Sequence, residues 1–296
     1  MMRRGPGNDA PRCRAGAFSL QGREPPVPPK HRPKLGQHFL QDASYRNKIL
    51  DELRFSGEGL VIEIGPGRGA MTRLLSERAR QVVGIEVDSS LAHRLQEEYA
   101  KIPHITILQA DVLTVDFAEL CRQQGASECW VFGNLPYYIT SPILQHLWSY
   151  RNCIRAMGLL VQREVAERLT AEPGARDYGY LTVLAQLYSQ PRMVLAIPPG
   201  AFSPPPKVHS ALVAFQMRPR FPDWTEEDGE KFLDFAKRCF AHKRKTLLNN
   251  LTGAYSRERI ARALASVGKT QNLRAEQLSL EELAMVFKYL KSMLGG

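Results

Sequence analysis

The chain has 296 residues, 44% of them hydrophobic, and a formal net charge of +10 at pH 7, which indicates a polyanionic partner. This length can bury one large domain plus a smaller one, and no stretch approaches the ~20 consecutive apolar residues of a membrane helix. The N-terminus is basic but has no apolar run for a secretory signal, so we expect a cytoplasmic protein that does not bind membranes.

Residues 1–33 are expected to form a basic, disordered N-terminal extension. Residues 1–34 carry eight Lys and Arg against two acidic residues, so +6 of the +10 lies there, and the segment is rich in Pro and Gly. Its apolar content is too low to offset the entropy of ordering. Three interpretations stay open: an extension without a dedicated role, an arm that tethers RNA, or an Arg-rich transit peptide.

From about Gly59, short apolar runs alternate with helical periodicity, which is typical of a parallel sheet built from strand-helix units. The seven apolar runs cover residues 60–64, 81–87, 105–108, 130–133, 157–161, 193–197 and 208–215. We therefore predict an α/β domain over 34–220 with a seven-stranded, Rossmann-like sheet. Between the last two runs lie residues 198–206, five of them proline. This segment is too short for a crossover helix, so the two strands should pair antiparallel or bend sharply.

After Arg220 the patterns are helical only, which predicts a small helical domain over 221–296. Thr225-x-x-Asp228 and Ser279-x-x-Glu282 have the chemistry of helix N-terminal caps. The apolar faces that follow them consist of Phe232, Phe235, Ala236, Cys239 and Phe240 in the first helix, and Leu280, Leu283, Phe287, Leu290 and Leu294 in the second.

The five cysteines are widely separated, with no C-x-x-C pair and no histidine at zinc spacing. They are expected to be ordinary reduced thiols, and no metal site is predicted.

A glycine-rich turn follows the first apolar run of the sheet. Gly65 and Gly67 lie where a strand ends and a helix begins, so the backbone can turn tightly beneath a ligand. With Ala70 they also satisfy the looser dinucleotide fingerprint, and Glu86 follows about 20 residues later, where a carboxylate can bind ribose hydroxyls. A dehydrogenase is therefore a competing interpretation of this segment.

Asp111 follows the third run and places a carboxylate at the carboxyl edge of the predicted sheet. It could accept a hydrogen bond from an adenine amine, although the same residue could equally cap a helix. S-adenosylmethionine carries no phosphate, so its site needs acceptors for ribose and adenine more than a phosphate-binding helix terminus. We assign Asp111 and its neighbour Val112 to the cofactor site.

The fourth run ends in Asn134-Leu135-Pro136-Tyr137. An adenine amine is a poor nucleophile, and acceptors on both of its N–H groups, from the Asn134 side chain and the Leu135 carbonyl, would aim its lone pair at a methyl donor. Pro136 should fix the backbone so that the loop carbonyls point at the ligand, and Tyr137 offers a face for stacking a base. The loop thus predicts N6 methylation of adenine.

Taken together, five segments resemble the small-subunit ribosomal RNA adenine dimethyltransferases, and the resemblance runs from about residue 34 to the end. The segments are 34–40 (KLGQHFL), 63–67 (EIGPG), 134–137 (NLPY), 201–210 (AFSPPPKVHS) and 244–247 (RKTL). The resemblance implies that the predicted sheet is a class I methyltransferase sheet, and that the reaction is N6,N6-dimethylation of two adjacent adenines. It also implies that the N-terminal segment folds over the cofactor, with contacts from His38 and Leu40. Asn134 is then expected to touch both the cofactor and the target amine, and Phe202 to stack the target adenine opposite Tyr137.

The implied partner is small-subunit ribosomal RNA in an assembly intermediate, bound by a monomer. The residues expected to bind this RNA are Lys207, Lys243, Arg244 and Lys245. Such phosphate contacts should be salt-sensitive and independent of sequence. Two further alternatives stay open beside the dehydrogenase: a related methyltransferase acting on large-subunit RNA, and a nucleic-acid-binding factor that kept the fold without the activity.

Overall fold

The computed structural model describes residues 38–53 and 59–292, so the predictions on residues 1–33, on the 34–37 part of the KLGQHFL segment and on Leu294 lie outside it. The strands are β1 Phe39–Leu40, β2 Leu60–Ile64, β3 Gln81–Glu86, β4 Ile105–Gln109, β5 Cys129–Asn134, β6 Ile154–Gln162, β7 Ser189–Ile197, β8 Phe202–Ser203 and β9 Ser210–Met217. The helices are α1 Ala43–Leu53, α2 Ala70–Ser76, α3 Ser89–Tyr99, α4 Phe117–Gln123, α5 Thr140–Ser149, α6 Arg163–Leu169, α7 Tyr180–Tyr188, α8 Glu226–Cys239, α9 Leu247–Leu251, α10 Arg257–Ala265 and α11 Leu280–Ser292.

Seven strands form one sheet in the order β4-β3-β2-β5-β6-β9-β7, and each corresponds to a predicted apolar run. The strands from β4 to β6 are parallel, whereas β9 runs antiparallel to both β6 and β7. Of the two arrangements expected for the last two strands, antiparallel pairing is the one observed. The chain order reverses between β2 and β5, and ligands of open α/β sheets bind at the carboxyl edge of such a switch point.

The apolar core lies on both faces of the sheet because successive side chains of a strand point to opposite sides. Along β2, Leu60, Ile62 and Ile64 belong to one buried cluster, while Val61 belongs to a second cluster beneath α1 and α2. All five residues of β2 are buried, as expected for a central parallel strand covered by helices.

The residues after 220 are helical, as predicted, and both capping boxes form. Thr225 Oγ1 accepts the Asp228 backbone N–H at 3.1 Å, and Ser279 Oγ accepts the Glu282 N–H at 3.2 Å. The apolar faces of α8 and α11 pack into the same hydrophobic cluster as the sheet, and Phe240 is half-buried beside it. The helical region is therefore continuous with the core of the sheet domain.

Among the described residues, no helix is long and apolar enough to cross a bilayer. The same part of the chain holds no group of three or more side chains suited to binding a metal ion. Cys121, Cys129, Cys153 and Cys239 are buried and not disulfide-bonded.

Candidate active site

The glycine turn between β2 and α2 forms the floor of the candidate site. Gly65 and Gly67 have positive φ angles of 67° and 58°, which only glycine adopts freely. A Cβ on Gly65 would meet nothing within 4 Å, so this backbone faces open space at the carboxyl edge of the sheet. A Cβ on Gly67 would lie 2.7 Å from the ring of Phe39, which the sequence analysis did not assign to the site. The N-terminal segment thus folds over the glycine turn.

Glu86, the last residue of β3, is only 2% exposed and has a fixed carboxylate. Its Oε2 accepts the Gly67 backbone N–H at 2.9 Å, and its Oε1 accepts the Asp88 N–H at 3.0 Å. Each carboxylate oxygen has a second lone pair, so the group can still accept hydrogen bonds from ligand hydroxyls. Val87 follows directly and is 41% exposed.

A second acidic residue, Glu63, lies in the middle of β2 and is 2% exposed. The pKa of Glu63 is raised to about 7, chiefly by burial. The hydrogen bond from the Thr72 hydroxyl at 2.6 Å lowers this pKa, and the nearby Glu86 charge raises it. Sequence reasoning gave Glu63 no role of its own. The available signal was a lone acidic residue inside an otherwise apolar strand.

Asp111 lies at the same edge, just past β4, and is exposed. Its Oδ1 accepts the Leu113 N–H at 3.0 Å and so caps the short 3-10 helix Val112–Thr114. The capping interpretation is therefore realised, and it uses one of the two carboxylate oxygens. The Val112 side chain is 6% exposed and packs into the core, so any cofactor contact of Val112 would come from its backbone.

Asn134 ends β5 at the switch point of the sheet. Its Nδ2 donates to the backbone carbonyl of His38 at 2.7 Å. This bond uses the amide nitrogen and leaves Oδ1 as the acceptor that the side chain can offer to a ligand. The His38 ring also contacts the Pro204 carbonyl at 2.8 Å through Nδ1. His38 of the N-terminal segment thus joins the loop 134–137 to the loop before β9.

The next two residues of the loop behave differently from each other. Leu135 donates its N–H to Leu160 at 3.0 Å, which extends the pairing of β5 with β6, and its side chain is buried. The Pro136 carbonyl accepts the Ile139 N–H at 3.2 Å and the Thr140 hydroxyl at 3.1 Å. The prediction that the loop carbonyls point at the ligand is therefore wrong for Pro136, because its carbonyl accepts hydrogen bonds from Ile139 and Thr140 in the helical turns that follow.

Tyr137 is half-buried at the start of the 3-10 helix Tyr137–Ile139. Its ring centroid lies 5.8 Å from that of His38, and its hydroxyl is 2.7 Å from Ser210 Oγ. The neighbouring Tyr138 is 57% exposed and was not assigned to the site by sequence.

The Phe202 ring is buried in the core and is not exposed at the candidate site. Strand β8 pairs antiparallel with β1, with Leu40 opposite Phe202, and both side chains lie in the cluster that also holds Leu212. Phe202 is 3% exposed and Leu40 is 6% exposed. The expected stacking of Phe202 on adenine thus disagrees with this packing, in which the ring holds the loop down, and the Leu40 side chain is likewise directed into the core.

The sequence profile of the ribosomal RNA adenine dimethylases matches residues 29–292. The chain is 45% identical to the ribosomal RNA small subunit methyltransferase A of Acidobacterium capsulatum, covering 93% of this chain and 97% of that protein. The chain belongs to the ribosomal RNA adenine dimethylase family. The protein of the same name from Koribacter versatilis is 39% identical, covering 89% of this chain and 95% of that protein.

Two solved structures share the fold of this chain. The 23S rRNA methyltransferase ErmE superposes with a TM-score of 0.70 at 27% identity, covering 86% of this chain and 99% of that one. A dimethyladenosine transferase from Plasmodium falciparum superposes with a TM-score of 0.73 at 22% identity, covering 86% and 98% of the two chains, and shares the fold. The predictions of family, fold class, enzyme class and S-adenosylmethionine as cofactor are confirmed.

The basic residues predicted to bind RNA in this dimethylase are all exposed. Lys207 lies in the loop before β9, at the same sheet edge as Asn134, because β9 runs antiparallel to β6 and begins where β6 ends. The segment between α8 and α9 holds Lys243, Arg244 and Lys245. The Lys243 ammonium donates to the backbone carbonyl of Arg176 in the loop before α7. Arg176 is itself exposed, so its side chain adds a further cation to this surface.

Proposed function

We propose that this chain transfers methyl groups from S-adenosylmethionine to N6 of two adjacent adenines in small-subunit ribosomal RNA, giving N6,N6-dimethyladenosine. The proposal depends most on Asn134, whose amide nitrogen is held by the His38 carbonyl so that its Oδ1 acceptor is left for a substrate amine. The two relatives at 45% and 39% identity carry a small-subunit name and support this substrate.

The residues around the glycine turn fit the cofactor. Gly65 offers a backbone surface with open space above it, which suits the close approach of a ligand. The Glu86 carboxylate is held by two backbone N–H groups and can accept ribose hydroxyls, while the exposed face of Val87 suits an apolar base. The Asp111 carboxylate would accept a hydrogen bond from the exocyclic amine of the cofactor's adenine. When bound, S-adenosylmethionine supplies an activated methyl group on a sulfonium leaving group.

The chain's own residues then position the target amine. Asn134 Oδ1 and the Leu135 carbonyl would accept its two N–H groups, which turns the nitrogen lone pair away from the ring and toward the methyl donor. Because the leaving group is already activated, a strong base is not needed. After the first transfer the amine keeps one N–H, so the second transfer depends on a single acceptor of this pair.

We infer that the target base is held outside its stack, with Tyr137 offering an aromatic face worth ~1–3 kcal/mol per stacked base. Lys207 and the exposed segment Lys243 to Lys245 would neutralise phosphates of the same RNA. Residues 34–220 then act as the methyltransferase domain and 221–296 as the RNA-binding helical domain. We further propose that the chain acts as a cytoplasmic monomer on an assembly intermediate of the small subunit.

The rival substrates are separated by one experiment. Under-methylated small and large ribosomal subunits are incubated separately with the full chain and S-adenosylmethionine carrying a labelled methyl group. The proposal predicts label in small-subunit RNA only. Label in the large subunit would favour the specificity of the ErmE-like neighbour. RNA binding without transfer would favour a non-enzymatic factor, and stabilisation by NAD rather than by S-adenosylmethionine would favour the dehydrogenase.

A further inference from the structure

Ser210 is a buried polar residue that has no assigned role. It is the first residue of β9 and is 1% exposed. Its backbone is held from both sides, since Ser210 pairs with Gln162 of β6 and with Ile197 of β7. A side chain at this position is therefore fixed to a central strand of the sheet. Its Oγ lies 2.7 Å from the hydroxyl of Tyr137.

Tyr137 has weaker support from its own backbone. It begins a 3-10 helix of three residues that has no side-chain cap at its N-terminus. The ring is half-buried and tilted by 32° against His38. Burial raises the pKa of the Tyr137 hydroxyl, so the group stays protonated at neutral pH and can share a proton with Ser210. The Ser210 bond is thus the polar contact that joins the tip of this ring to the rigid sheet.

We propose that Ser210 is a positioning residue for methyl transfer, acting by fixing the Tyr137 ring in the orientation that stacks the target adenine. The inference rests on the proposed function, because it takes Tyr137 as a wall of the target site. A freely rotating ring would still bind RNA through the other contacts, but the amine would be held less often in the geometry that reacts. Small misplacements of this kind reduce the rate of the chemical step more than they reduce binding.

The chain offers a matched control. Ser189 is 2% exposed, begins β7, and donates through Oγ to the Ala185 carbonyl at 2.7 Å. It pairs with Met217, at the opposite end of β9 from Ser210. Ser189→Ala therefore removes a buried serine hydrogen bond of equal length from the neighbouring strand, at the far edge of the sheet. Its cost should be confined to stability.

The test measures kcat and KM on under-methylated small subunits, cofactor affinity and urea stability for Ser210→Ala, Ser210→Thr, Tyr137→Phe, Ser210→Ala/Tyr137→Phe and Ser189→Ala. We expect Ser210→Ala and Tyr137→Phe each to lower kcat by about tenfold, the loss of one orienting hydrogen bond, with KM and cofactor affinity within about twofold. The double variant should match either single one, because both break the same bond. Ser210→Thr should restore most of kcat, and Ser189→Ala should keep it.

Three results would overturn the inference: wild-type kcat in Ser210→Ala, losses that multiply in the double variant, or an equal fall of kcat in Ser189→Ala. Tyr137→Phe, at a half-buried position, keeps the test open should Ser210→Ala fail to fold. Absence of methyl transfer by the unmodified chain would instead contradict the proposed function, so the two failures are distinguishable.

Discussion

Replacing Gly65 by alanine tests whether the open space above the glycine turn is where the cofactor lies. Gly65 has a φ of 67°, and a left-handed conformation costs a residue with a Cβ ~1–2 kcal/mol. Alanine also restricts the unfolded chain, which stabilises the folded state by about 0.4–1 kcal/mol. We therefore expect a net loss of about 1 kcal/mol in the free energy of unfolding. The added methyl meets no protein atom within 4 Å. A loss of cofactor affinity greater than the effect of this destabilisation must therefore come from a clash between the methyl group and a ligand above Gly65.

Gly125→Ala is the matched control. Gly125 has a φ of 65°, a Cβ there would also meet nothing within 4 Å, and the residue precedes β5 at the opposite edge of the sheet. Both variants should therefore lose a similar ~1 kcal/mol in urea unfolding without cofactor. By titration calorimetry, Gly65→Ala should weaken S-adenosylmethionine binding by at least about tenfold, or ~1.4 kcal/mol, and Gly125→Ala by less than about twofold. Equal cofactor affinities in the two variants would refute the placement.

Three further variants probe the rest of the site. Asn134→Ala should lower kcat by at least about a hundredfold, while cofactor binding stays measurable. The control is Asn250→Ala, which removes a similar hydrogen bond from a side-chain amide to the Cys239 carbonyl, at 2.8 Å in the helical region, and should keep kcat. Comparable activities of the two variants would contradict the role of Asn134. Glu63→Gln should remove a pH dependence of the free energy of unfolding. In the wild type, the neutral Glu63 carboxyl contributes its full stability below pH 4.5, and this contribution is lost as the pH rises through about 7. The free energy of unfolding should fall by about 3 kcal/mol over this range. Urea unfolding at pH 5 and pH 8 would measure this, and a difference between variant and wild type that does not change with pH would exclude it. Replacing Lys243 and Arg244 by alanine should weaken RNA binding uniformly across sequences. The slope of log K for RNA binding against log salt concentration should become shallower by about 0.7 per charge removed. An unchanged slope would place this segment outside the RNA contact.

Much of the fold could be predicted because its signals are local. Buried parallel strands read as apolar runs, so β2 was predicted at its observed bounds. The caps at Thr225 and Ser279 depend on residues three positions apart, and both formed as expected. The glycine turn and Glu86 also came together, because the carboxyl ends of neighbouring parallel strands meet at one edge.

What sequence reasoning missed depends on contacts between distant parts of the chain. Strands β1 and β8 have two residues each, too few for a periodic signal, and their pairing is what buries Phe202 against Leu40. An aromatic residue in a proline-rich loop suits stacking and packing equally, and only the partner strand decides between them. The Pro136 carbonyl was misjudged for a similar reason, since its acceptor role depends on the turn formed by Ile139 and Thr140.

The most direct test of the proposed reaction is the identity of the modified nucleoside. Small subunits that lack the modification are incubated with the full chain and S-adenosylmethionine labelled in its methyl group, and the RNA is digested to nucleosides and analysed by mass spectrometry. We predict label in N6,N6-dimethyladenosine, with label at N6 of adenosine strongly reduced in Asn134→Ala. Label on any other base or position, or undiminished label in that variant, would contradict the assignment of this loop as the reaction centre.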